Sequence, residues 1–111
     1  MSVAAATEQF QTAVMNSSGQ CYSPDPGTCW DVMQSVMKPA RTLRTAMHAD
    51  KSVGAEFWSG AYALINTMED GMAVGDDEGA DKPADFKHRN RATVLGTAHD
   101  LSDWLDENPV Q

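Results

Sequence analysis

Long apolar runs are missing from this sequence. No stretch approaches the roughly 18 consecutive apolar residues of a membrane-spanning helix, so a helical span is not expected. Bases are scarce, with eight Lys and Arg against sixteen Asp and Glu and a net charge of −8. That balance speaks against a broad surface for nucleic acid or anionic lipid. Cysteine is confined to Cys21 and Cys29, too few for a disulfide-stapled mini-domain or a zinc quartet. The start, Met1-Ser2-Val3-Ala4-Ala5-Ala6-Thr7-Glu8, carries no basic segment and soon meets polar residues. No export signal is read there, so a cytoplasmic setting with reduced thiols is expected. There is no Gly-x-Ser-x-Gly elbow, no phosphate-binding glycine loop and no recognisable Cys/His pair. The reading therefore leans away from an enzyme, and no cofactor is expected.

What remains is an ordinary globular composition: 111 residues, 41% apolar and 22% charged, enough for one domain spanning 1–111. Val3, Ala6, Phe10, Ala13 and Val14 repeat at helical spacing until Ser17-Ser18-Gly19. A loop over about 18–27 follows, after which Thr28 is a good N-cap with Asp31 placed for a capping box. Trp30, Met33, Val36, Met37, Ala40, Leu43 and Met47 form a second stripe, interrupted by Pro39. The proline removes a helical donor and crowds the preceding turn, which predicts a kink or break near Met37-Lys38.

Asp50 or Ser52 is expected to cap a third helix with the stripe Val53, Phe57, Trp58, Ala61, Leu64, Ile65, Met68 and Met72. The acid-rich stretch 75–84 reads as a solvated loop, whose bounds are set at about 74–83 because Pro83 is assigned to the following helix. Pro83 suits the first turn of a fourth helix, with Phe86, Val94, Ala98, Leu101 and Leu105 on its buried face. Helices are thus expected near 3–17, 29–48, 53–73 and 84–107, with no alternating strand pattern. The fold class is all-α: a small four-helix bundle-like domain with a kinked or broken second helix.

Charge is segregated along the chain. Residues 52–81 hold Glu56, Glu69, Asp70, Asp76, Asp77, Glu78 and Asp81 and no base, whereas Lys38, Arg41 and Arg44 share one face of the second helix. Such a face is most often simply solvated. Its functional alternative is a docking stripe for an acidic partner, including the acidic loop of a second copy. Trp58 and Tyr62, on the outer edge of the third helix, complete the candidate interaction surface. So short a chain leaves much apolar surface part-covered, which predicts a homodimer or larger assembly.

Met-rich stripes are usually core filler, yet Trp30, Met33, Met37, Trp58 and Met68 could also line an apolar ligand pocket. His99 and Asp103, at i and i+4, are the best placed polar pair for a metal half-site. His48 and Glu56 are the candidate further ligands, and the plainer reading is an exposed ion pair. His88 lies roughly 16 Å along the same helix from His99 and cannot share an ion with it. The acids around Gly75 and Gly79 do not fall in an EF-hand register. Pro24, Pro26 and Gly27 could bend Cys21 toward Cys29, although two thiols flanking a loop is the default reading.

Trp58-Ser59-Gly60 resembles the Trp-x-Gly turn of the small helical-hairpin substrates of specialised secretion systems. The resemblance implies a bend between two long helices at this point. It covers three residues; the stripe from Phe57 to Met68 runs through them, and that family's C-terminal Tyr-x-x-x-Asp/Glu signal is absent. The family is not assigned. The function read from the sequence is a small acidic helical accessory or regulatory protein acting through protein–protein contacts. The alternative is a small-molecule-binding or enzymatic bundle with a Trp/Met-lined pocket.

Overall fold

The structure, a computed structural model, describes residues 1–80 and 90–109. Four α-helices are present and no strand occurs among the described residues. Helix α1 spans Val3–Ser17 and starts where Ser2 Oγ accepts the Ala5 N–H at 3.1 Å. It buries Val3, Ala6, Phe10 and Val14, the expected stripe. Most of that face lies against α2, Trp30–Ala49, which buries Met33, Val36, Met37, Ala40, Leu43, Ala46 and Met47. No helix among the described residues is long and apolar enough to cross a membrane.

Of the kink or break expected at Pro39, the break does not occur, because α2 is one helix with the proline inside it. Pro39 cannot donate to the Ser35 carbonyl, but Ser35 is on the exposed side, where water can serve it. Met37, Ala40 and Leu43 are fully buried on either side of the proline, so both halves of the helix are anchored in the same core.

The third segment also departs from expectation. In place of a single helix from 53, a 3₁₀ turn at Ala55–Trp58 leads into α3, Ser59–Met72. Asp50 and Ser52 do not cap it. The Asp50 carboxylate instead accepts the Ser52 N–H and hydroxyl, both at 3.0 Å, closing an Asx turn in the connection. Trp58-Ser59-Gly60 is therefore the seam between the 3₁₀ turn and α3, not a bend between two long helices.

Before α4, Thr97–Glu107, the chain forms a π turn at Ala92–Gly96. Pro83, Phe86 and His88, read as the start of this helix, lie outside the described residues. The π turn and α4 pack along α3, and two glycines on α3 bring the backbones close. A Cβ at Gly71 would stand 2.7 Å from Val94 Cγ2, and one at Gly60 would stand 2.6 Å from Trp104 Nε1. All four helices contribute to one continuous apolar core.

Candidate functional site

Three connecting pieces converge at one end of the bundle: 18–29 between α1 and α2, 76–80 after α3, and Asn90-Arg91 before the π turn. Arg91 is fully buried and is the hub. Its Nε and Nη2 donate to Asp77 Oδ1 and Oδ2, each at 2.7 Å. Nη1 donates to the Ser23 carbonyl at 2.9 Å, and Nη2 also reaches the Asp25 carbonyl and Thr28 Oγ1. A planar fork with five donors suits this duty, which a lysine could not perform.

Asp77 is shaped for the opposite role. Its Oδ1 accepts the Gly79 N–H at 2.8 Å, and its Oδ2 accepts the Cys29 N–H at 2.9 Å. The first bond is an Asx turn, made at a glycine with φ +82°. The second caps α2 from 48 positions away. Thr28 is therefore not the N-cap expected from the sequence; Cys29 is, and the Thr28 hydroxyl accepts from Arg91. Burial alone would push the Asp77 carboxyl up. Hydrogen bonds from Arg91, Gly79 and Cys29, with the Arg91 charge, outweigh it and hold the pKa below the usual carboxylate value.

Asn90 ties the same loop from the other side. Its Nδ2 donates to the Gly71 and Asp76 carbonyls, and its Oδ1 accepts the Glu78 N–H at 2.9 Å. The Gly27 N–H donates to the Asp77 carbonyl at 2.9 Å, and the Ala80 N–H to the Pro24 carbonyl at 2.8 Å. The acid-rich stretch is thus not a wholly solvated loop. Asp77 is 2% exposed and Ala80 is buried, because the buried arginine supplies the countercharge and donors that one carboxylate needs.

Cys21 and Cys29 form a disulfide, with Cα atoms 5.2 Å apart. This corrects the expectation of reduced thiols. Pro24, Pro26 and Gly27 turn the segment back on itself, and the Arg91 bonds hold that turn. On the outside of the closed loop Tyr22 stands 74% exposed, with Asp25, Pro26 and Thr28 also at the surface.

The residues singled out from the sequence are dispersed. Arg41 and Arg44 both reach across to Glu69 on α3, at 2.6 and 3.0 Å, while Lys38 is exposed. The Arg41 hydrogen bond, opposed by burial and helped by Arg44, holds the Glu69 carboxyl below its ordinary value. Tyr62 is half-buried with its ring 4.8 Å from that of His48, and burial pushes its phenol up. Trp58 is not on an outer edge. It is 1% exposed, in T-shaped contact with Phe57 and 6.1 Å from the Trp104 ring.

Met33, Met37 and Met68 are fully buried core residues, and Trp30 is half-buried against the core. Trp58 also borders a surface cleft of about 300 Å³, between the first turn of α1 and the end of α4. Its indole N–H is buried and has no acceptor among the described residues. His99, Asp103, His48 and Glu56 are all exposed. No three His, Cys, Asp or Glu side chains among the described residues are placed to hold one metal ion.

Sequence reasoning missed Asp77, Asn90 and Arg91. Asp77-Glu78-Gly79 is a turn signature in which the acid bonds the glycine two positions on, and that spacing was the available cue. No family model, curated protein or solved structure matches the chain.

Proposed function

We propose that the protein is a small acidic accessory or regulatory module that works by protein–protein contact, with the disulfide-closed loop around Tyr22 as its main contact surface. The observation that carries this reading is an exposed tyrosine on a loop fixed both by a disulfide and by a buried arginine. Tyrosine offers a large amphipathic contact at low entropic cost, and a pre-ordered loop avoids paying for order on binding. The partly exposed stripe of Lys38, Arg41 and Arg44, with Tyr62, is the second face of the same module.

A photo-crosslinking residue at position 22, with one at exposed Glu8 as control, tests the contact in extracts of the native host. A discrete adduct at 22 and none at 8 is expected. Equal labelling at both positions would remove the loop from consideration. Self-association is the other outcome: the adduct would then have the mass of two chains, and light scattering would exceed 12.0 kDa.

The cytoplasmic setting expected from the sequence rested on the absence of an export signal, and reduced thiols were its consequence. A bonded Cys21–Cys29 pair favours an oxidising compartment instead, and thiol labelling of the protein drawn from its host decides between them. A second reading keeps the small-molecule alternative at the cleft beside Trp58. The unpaired indole N–H favours it, since a buried donor without an acceptor costs about 1–3 kcal/mol. Trp58→Phe should abolish any tryptophan-fluorescence response to apolar hydrogen-bond acceptors.

A further inference from the structure

The disulfide and the Arg91 clamp hold different parts of the loop, and the difference has a chemical use. Cys29 is fully buried, whereas Cys21 is half-buried. From 23 to 29 the chain is anchored without the disulfide. The Ser23 and Asp25 carbonyls and the Thr28 hydroxyl bond Arg91, the Pro24 carbonyl bonds Ala80, and the Gly27 and Cys29 N–H groups bond Asp77. Among the described residues, from 18 to 22 only the Ser18 and Gln20 N–H groups are engaged, with the Met15 and Ser17 carbonyls of the helix end. Cys21 and Tyr22 make no hydrogen bond among the described residues. Cys21 also packs against the edge of the core, and beyond that apolar contact the covalent bond is what ties the two residues to the bundle.

We propose that the Cys21–Cys29 bond is a thiol-exchange site entered at Cys21, and that opening it releases residues 18–22 while 23–29 stay in place. The co-reactant is a small dithiol. One of its thiolates attacks Cys21 Sγ, and the Sγ–Sγ bond breaks with its electron pair going to Cys29. Cys29 takes a proton and remains as a buried neutral thiol, a state that suits an apolar site. The second thiolate of the reagent then attacks its own sulfur in the mixed disulfide. The oxidised reagent leaves as a cyclic disulfide, and Cys21 departs as a thiolate that is protonated. The protein gains two electrons and two protons, and the dithiol loses them. Attack at Cys21 is favoured because access to the sulfur governs which partner is struck.

Release of 18–22 moves Tyr22, so the bond would also gate the contact proposed above. That consequence rests on the contact reading; the exchange chemistry and the release do not, and the test below requires no partner.

The protein is treated with dithiothreitol and probed by brief chymotrypsin digestion, by amide hydrogen exchange and by circular dichroism. Cleavage after Tyr22 should rise by about tenfold or more, as expected when a local opening becomes populated. Helical signal and the slow exchange of the Gly27, Cys29 and Ala80 amides should be unchanged. A monothiol quenched with acid should be found on Cys21 by peptide mass. Three results would each overturn the proposal: unchanged cleavage at Tyr22, loss of protection at Gly27, Cys29 or Ala80, or a mixed disulfide mapped to Cys29. Cys21→Ser/Cys29→Ser, digested without reductant, should match the reduced protein and so separates release from any side effect of the reagent.

Discussion

Asp77 and Arg91 are fourteen positions apart, yet both carboxylate oxygens meet the guanidinium fork at 2.7 Å with neither side chain exposed. Removing two charges from water is costly, and a buried pair persists only where every remaining donor and acceptor is satisfied. Here the surplus donors go to Ser23, Asp25 and Thr28, and the surplus lone pairs to Cys29 and Gly79. The pair thus joins three connecting segments that share no helix.

Arg91→Lys should destabilise the protein by about 3–5 kcal/mol, because an ammonium cannot make the two-pronged contact and leaves Asp77 buried with an incomplete partner. Urea unfolding followed by circular dichroism measures it. By contrast, Glu69→Gln, which weakens a partly exposed pair, should cost no more than about 1 kcal/mol. Equal losses in the two variants would mean that burial of the Asp77–Arg91 pair is energetically irrelevant.

Stability should fall on acidification. The folded-state pKa of Asp77 is depressed, so the unfolded chain takes up its proton first as pH drops. The contribution is complete well above the unfolded value of about 3.9 and is lost as pH passes below it toward the folded value. Glu69 acts in the same direction, more weakly because solvent screens it. Thermal unfolding between pH 7 and pH 2 should show the decline, and a parallel curve for Asp77→Asn would assign it elsewhere.

Gly79→Ala should be worse than Gly75→Ala. Both glycines have positive φ, so both substitutions carry the left-handed penalty. At Gly79 the new Cβ would also stand 2.6 Å from the Pro24 carbonyl oxygen and 2.9 Å from Pro26 N, whereas at Gly75 it meets open space. Melting temperatures of the two variants make the comparison. Equal shifts would show that the two loops do not touch closely in solution.

Pro39→Ala should stabilise the protein by about 1–3 kcal/mol. Proline in a helix interior is about 3 kcal/mol worse than alanine, less what it contributes by restricting the unfolded chain. The restored N–H would find the Ser35 carbonyl, and the half-buried ring has little packing to lose. A melting temperature that does not rise would mean the ring is needed where it stands.

The helices were legible because apolar spacing is a local signal. Phe10, Met33, Leu43, Ile65 and Leu101 all entered the core from the stripes that named them. Pro39 misled in part, since tertiary packing overrode a local preference. The junction was not legible for a different reason. Asp77 sits between Asp76 and Glu78; its spacing to Gly79 marks a turn, but a turn signature does not say that folding will bury the acid that opens it. Its partner lies beyond a charged stretch where Arg91 is one base among Lys82, Lys87 and Arg89. Long-range ion pairing has no period, so neither residue announces the other. The same holds for the Arg41–Glu69 contact, where the basic stripe was visible and its intramolecular acceptor was not.

Gly60 and Gly71 are eleven positions apart on α3, close to three full turns, so they share one side of the helix. Trp104 rests in the first hollow, and Val94 with Thr93 in the second. Each hollow alone would locate a single crossing point; together they act as a two-tooth gauge between α3 and the chain returning beside it. A slip of one turn, about 5.4 Å, would drive both bulky groups onto side chains at the same time. The bundle therefore has a reading frame as well as a core. Elsewhere one apolar residue can be traded for another of similar size, but along this seam any added carbon is an error in alignment.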